Sequence, residues 1–185
     1  MQYFPTLKNL LFSPLKTLEL LKLEEGIVEP FKFLVVSVLI TNLITFMFLL
    51  IENPFLTALV AFVVRSLIGI VGTFLIAGLL HGIVMLLGGK NPYYQTFKAF
   101  AYISAYSIFW ALLSGIAIFI PRQVSLAALA IYFIFALWIL ILLNSAFKFY
   151  TDLSTGKMII LGVIVFILFI AAVGVYIVYG PPVSS

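Results

Sequence analysis

Long apolar stretches, broken at intervals by Pro, Gly and Lys, take up most of this sequence, and no water-soluble fold has room for them. About 20 apolar residues in a helix cross the ~30 Å hydrocarbon core of a bilayer. Five such stretches are read, near Phe31 to Ile51, Phe55 to Leu87, Phe97 to Ile120, Val124 to Phe147 and Met158 to Tyr179. Soluble domains are about 45–50% apolar and about 25% charged; here 65% of residues are hydrophobic and 9% charged. Too few charges remain to cover an aqueous surface. The expected fold is all-α, a polytopic membrane bundle of five transmembrane helices preceded by a short amphipathic interfacial helix.

The residue inventory excludes several functions. Cysteine is absent, which removes disulfides, thiolate catalysis and Cys-based metal sites. The formal charge of +4 comes from basic residues scattered singly, without the clustered face that nucleic acid requires. Met1 to Phe12 has no basic segment leading into an apolar core and a small-residue cleavage site, so no removable signal peptide is expected.

Proline marks the joints. Pro30, Pro54 and Pro92 stand just before or within helix starts, where a missing N–H costs little, and Pro181-Pro182 follow the last span. Asn53-Pro54 and Pro121-Arg122 read as tight outer turns. The chain divides accordingly into an N-terminal cytoplasmic segment with the amphipathic helix (1–29), the five-helix domain (30–180) and a tail (181–185). The second apolar run is too long for one upright crossing, so it must tilt, kink near Gly69 to Gly72, or project from the outer face.

Lys and Arg near span ends are retained on the cytoplasmic side. Lys8, Lys16, Lys22 and Lys32 flank the N-terminal segment, Lys90 and Lys98 fall in the second connection, and Lys148 and Lys157 in the fourth, against Arg122 and Arg65 on the other side. This division predicts a cytoplasmic N-terminus and an external or lumenal C-terminus. Ahead of the first span, Ser13-Pro14 offers a cap followed by Pro at the first helical position. Leu15, Leu18, Leu20 and Leu21, with Lys16, Glu19 and Lys22 between them, predict a helix with one apolar side. It would lie on the membrane, cover the mouth of the bundle, or dock a soluble partner.

A few polar residues in the apolar runs need a reason to be there. Arg in a bilayer centre costs at least ~2.5 kcal/mol on insertion scales. Arg65 lies eleven residues past Pro54, and Asn42 eleven before Asn53, so a hairpin turning at that pair puts them at one depth. Arg65 would then snorkel to the outer interface, anchor an anionic solute or lipid headgroup, or share a structural hydrogen bond with the Asn42, Thr41 and Thr45 face. His81, the one histidine, falls level with Glu25 to Glu29 and would either titrate against a carboxylate or sit satisfied at the interface. A metal site is not expected, for lack of a second nitrogen or sulfur ligand. Gly78 and Gly82, with Gly69 and Gly72 nearer the outer end, suit close helix packing within the bundle or dimerisation. Asp152 and the N-terminal glutamates are read as solvated. No nucleophile–base constellation, HExxH, P-loop or paired intramembrane carboxylate is present, so no enzyme and no cofactor is expected.

His81, then Leu86-Leu87-Gly88-Gly89-Lys90-Asn91-Pro92-Tyr93-Tyr94-Gln95-Thr96-Phe97-Lys98-Ala99-Phe100-Ala101-Tyr102, resembles the Yip1 domain family of five-span membrane proteins. In that family a His near the end of the second span leads into a Leu-Gly-Gly-Lys turn, an aromatic and a Lys/Ala/Tyr-containing third helix. Ser13-Pro14 with its amphipathic helix, and Trp138 followed by Ser154-Thr155-Gly156-Lys157, agree with it. Read physically, Gly88-Gly89 can take φ > 0 to end a helix while Lys90 neutralises its C-terminal dipole. The family often has Pro after the third-helix Tyr and Gly in the fourth span, where this chain has Ser104-Ala105 and Leu142-Leu143. The resemblance implies a non-enzymatic protein of membrane organisation or trafficking, acting on the lipid bilayer and through a membrane-protein partner or homo-oligomer. Eukaryotic relatives bind small GTPases through a long N-terminal region; the segment of about 28 residues here counts against that partner. The alternative is a small-solute permease or channel using Arg65, Asn42 and the glycine face of the second span.

Overall fold

The computed structural model describes residues 3–23, 25–117 and 125–179. Every element in them is helical: α1 (Tyr3–Phe12), α2 (Pro14–Leu21), α3 (Val28–Glu52), α4 (Phe55–Leu86), α5 (Tyr93–Ile103), a 3₁₀ turn (Ser104–Tyr106), α6 (Ser107–Ala117), α7 (Ser125–Tyr150) and α8 (Thr155–Tyr179). Four segments are long and apolar enough to cross a membrane, Val28–Ile51, Phe55–Leu86, Tyr93–Leu113 and Phe133–Tyr150, and α8 adds a further apolar helix. This agrees with the five-span reading. The Pro121-Arg122 turn and the Pro181-Pro182 tail lie outside the described residues.

Helices start earlier or run longer than the apolar runs because hydrophobicity marks the lipid-facing length and capping marks the helix. The third span begins at Tyr93, directly after Pro92 in extended conformation, rather than at Phe97. Asn53 ends α3 with its own N–H and its side-chain amide on the Leu49 carbonyl, at 2.9 and 3.1 Å. The following Pro54 holds Asn53 extended and opens α4.

Val38 packs on Gly69, where an added Cβ would meet Val38 Cγ1 at 3.1 Å, and Phe46 packs edge-on against Phe62. These contacts set α3 and α4 antiparallel in the register that places Asn42 level with Arg65. On its other side α3 meets α6, where the Phe48 ring lies on the Cα of Gly115 and the Thr41 and Ser107 hydroxyls pair at 2.7 Å. In lipid such packing and interhelical hydrogen bonds replace the hydrophobic effect as the associating force. The third span tightens at Ser104–Tyr106, where Ser104 and Ser107 donate to the Ala101 and Ser104 carbonyls, each at 2.6 Å. Hydroxyls that compete for backbone acceptors favour such a local change of winding.

The N-terminal segment is more structured than the sequence reading expected. It forms two helices, α1 being additional, and both belong to the core: Leu10, Leu18 and Leu21 pack with Phe33, Leu80, Val84, Tyr102, Tyr106, Phe147, Tyr150 and Leu161.

Candidate functional site: the N-terminal face of the bundle

The residues that join α1 and α2 to the spans form the most polar buried region. A helix leaves its last carbonyls without intrahelical partners, and at the ends of α1 and α2 the bundle supplies donors. Tyr106, in the 3₁₀ turn, donates to the Leu10 carbonyl at 2.6 Å. Tyr150, the last residue of α7, donates to the Leu18 carbonyl at 2.9 Å, and Lys98 Nζ donates to that of Leu21 at 3.2 Å.

Lys98 corrects the sequence reading, which placed it in a connection among the orienting charges. It lies within α5 and is 0% exposed, its ammonium 5.7 and 5.8 Å from the ring centroids of Tyr94 and Tyr150. A cation fits there because helix C-terminal carbonyls carry partial negative charge and aromatic faces attract it. At the other end of α1 the Tyr3 and Ser37 hydroxyls are 3.2 Å apart. Burial pushes the Tyr3 phenol above its ordinary value, against the opposing pull of that hydrogen bond.

Beside this region the two connections lock together. Gly88 takes φ +85°, and the N–H groups of Gly88 and Gly89 return to the Met85 and Val84 carbonyls, each at 2.9 Å, a Schellman ending for α4. A Cβ at Gly89 would lie 2.6 Å from Val84 Cγ1. Lys90 then donates its main-chain N–H to Asp152 Oδ1 at 3.0 Å, and Asp152 N–H donates to Asn91 Oδ1 at 2.9 Å. Asp152 is exposed, as expected of a solvated group, but it also ties the loops. The Lys90 side chain is exposed.

His81 Nδ1 lies 3.1 Å from the Thr96 hydroxyl with the Tyr93 ring edge-on, so it bridges α4 to α5 rather than meeting the glutamates; Glu29 bonds Lys32 at 2.6 Å. Arg65 and Asn42 share a level but not a bond. Asn42 gives its amide to the Val38 carbonyl at 3.0 Å, whereas Arg65 is on the exposed face of α4. Of the four glycines on that helix, Gly69 makes the close interhelical approach; Gly78 and Gly82 are exposed, with no atom within 4 Å of a Cβ at Gly82. No group of three metal-ligating side chains occurs among the described residues.

The donors at Tyr106 and Tyr150 were missed because nothing local distinguishes a tyrosine that meets a distant carbonyl from one that packs or sits at an interface. A signal for α1 was present: Tyr3, Leu7 and Leu10 recur at helical spacing. Neither a curated protein nor a solved structure matches the chain. The Yip1 domain matches residues 8–176, a range that runs from within α1 into α8 and includes the Gly-Gly-Lys connection, and so the chain belongs to the Yip1 domain family.

Proposed function

We propose that this is a non-enzymatic membrane-organising protein that works through contacts in the bilayer and at its N-terminal face, which is turned to the cytoplasm. The observation carrying this reading is that the polar interior at that face is filled by the chain itself. Lys98, Tyr102, Tyr106 and Tyr150 are fully or almost fully buried, and the first, third and fourth are spent on the carbonyls of α1 and α2. A permease pathway would need such groups to face water. Lys90, Lys148 and Lys157, all exposed, leave a basic rim suited to an anionic cytoplasmic leaflet. A partner membrane protein, or a second copy, would bind laterally along the exposed apolar faces.

The test is reconstitution of the full chain into vesicles at increasing protein-to-lipid ratio. A dose-dependent change in vesicle shape or diameter, without flux of small anions, supports the reading. Flux that Arg65→Leu abolishes would establish the permease alternative in its place.

A further inference from the structure

The N-terminal helices have two apolar sides, and the bundle uses one. Tyr3, Leu7 and Leu10 of α1 and Thr17, Leu18 and Leu21 of α2 turn inward. On the opposite side Phe4 and Phe12 flank Lys8 on one helical face, and Leu15, Leu20 and Leu23 alternate with Lys16 and Lys22. All eight are exposed, Phe12 at 79% and Leu23 at 81%. Water does not favour such a surface, and depth identifies what covers it. Ser37, which meets Tyr3, lies nine residues into α3, about 13 Å at 1.5 Å per residue. Tyr106, which holds Leu10, comes thirteen residues after the start of α5. Helix α1 therefore runs beside the spans rather than beyond their ends, at a level that lipid around the spans would reach.

We propose that the outer face of the α1–α2 pair is a binding surface for anionic phospholipids of the leaflet on the N-terminal side of its own membrane. Phe4, Phe12, Leu15, Leu20 and Leu23 enter the upper acyl region while Lys8, Lys16 and Lys22 extend to the phosphates. Because Tyr106, Tyr150 and Lys98 hold the inner face, the wedge occupies one leaflet only and is rigidly joined to the spans. This deepens the membrane-organising reading and rests on it for the consequence of such a wedge, though the surface itself can be tested alone.

The full chain, naturally free of cysteine, receives a bimane label at Phe12→Cys or Leu23→Cys and is placed singly in nanodiscs of phosphatidylcholine, into which chain-brominated phosphatidylserine or phosphatidylcholine is titrated. Both labels should be quenched, with half-quenching at a lower fraction of the serine lipid. Each lysine near an anionic surface contributes about fivefold, the equivalent of about 1 kcal/mol. Joint replacement Lys8→Gln, Lys16→Gln and Lys22→Gln should therefore erase the preference while leaving lipid quenching and melting temperature intact. Quenching by aqueous iodide instead of brominated chains would overturn the proposal, as would equal half-quenching by the two lipids. Protection from both quenchers only in discs carrying two copies would also overturn it, and would assign the face to self-association. A nanodisc is too small to change shape, so this readout succeeds or fails independently of the vesicle assay.

Discussion

Asp152 accepts the main-chain N–H of Lys90 through its carboxylate while giving its own N–H to the side chain of Asn91. Two connections 61 to 62 residues apart in the chain are thereby closed onto each other. A hydrogen bond contributes about 0.5–1.5 kcal/mol net, somewhat more when one partner is charged. Asp152→Ala and Asn91→Ala should each destabilise by about 1 kcal/mol, and the double variant by less than their sum. Asp152→Asn, which keeps an acceptor, should cost less than Asp152→Ala. Thermal melting in detergent reads all four variants.

The glycines of the second span and its end should separate cleanly. Gly82→Ala adds a methyl in open space and removes glycine's helix penalty of about 1 kcal/mol, so stability should hold or rise. Gly89→Ala drives a methyl against Val84 and should destabilise the fold by at least about 1 kcal/mol.

Tyr106→Phe and Lys98→Met remove the donors of the Leu10 and Leu21 carbonyls, whereas Tyr150→Phe leaves the Leu18 carbonyl with the Lys22 N–H at 3.2 Å. An unsatisfied buried acceptor costs about 1–3 kcal/mol. With a single cysteine at Leu18, which is fully buried, the alkylation rate should rise about tenfold in the first two variants, the equivalent of about 1.4 kcal/mol, and by less in Tyr150→Phe. Unchanged alkylation would show that the leucines alone hold the helices.

Arg65→Leu replaces an exposed cation by a side chain that lipid accepts. Melting temperature should hold or rise, and anion binding should be equal in the two proteins. A loss of binding would return Arg65 to the role of an anion site.

Reporters fused to the two ends should register opposite compartments, with the N-terminus cytoplasmic. Agreement between the ends would reject the odd number of spans, and an external N-terminus would reject the charge-based orientation.

The Gly88-Gly89 ending was legible in part, since the constraint at Gly88 is local: its φ of +85° suits a residue without a Cβ. Gly89 takes no such φ and is limited instead by the approach of Val84. The α3–α4 register was legible for a similar reason, a two-residue turn leaving a helical hairpin no freedom to slide. Lys98 was not. Its burial depends on Leu21, 77 residues away, and no local pattern distinguishes a lysine that meets carbonyls from one that meets water. For His81 the satisfied reading fits, but its partners were not legible, because equal distance from the Asn53-Pro54 turn said nothing of α5, whose Thr96 and Tyr93 lie beside it.

Helix α4 has 32 residues, about 48 Å at 1.5 Å per residue, and carries outward apolar side chains from Leu56 near one end to Leu86, 88% exposed, at the other. Compartments within a cell differ by several ångströms in hydrocarbon depth, and each ångström of mismatch costs a fraction of a kcal/mol. A rod of this length exceeds a hydrocarbon core of ~30 Å, so bilayer thickness itself acts on the protein: a thicker bilayer matches α4 at less cost than a thinner one. Shortening α4 by one turn should lower the bilayer thickness at which the reconstituted protein is most stable.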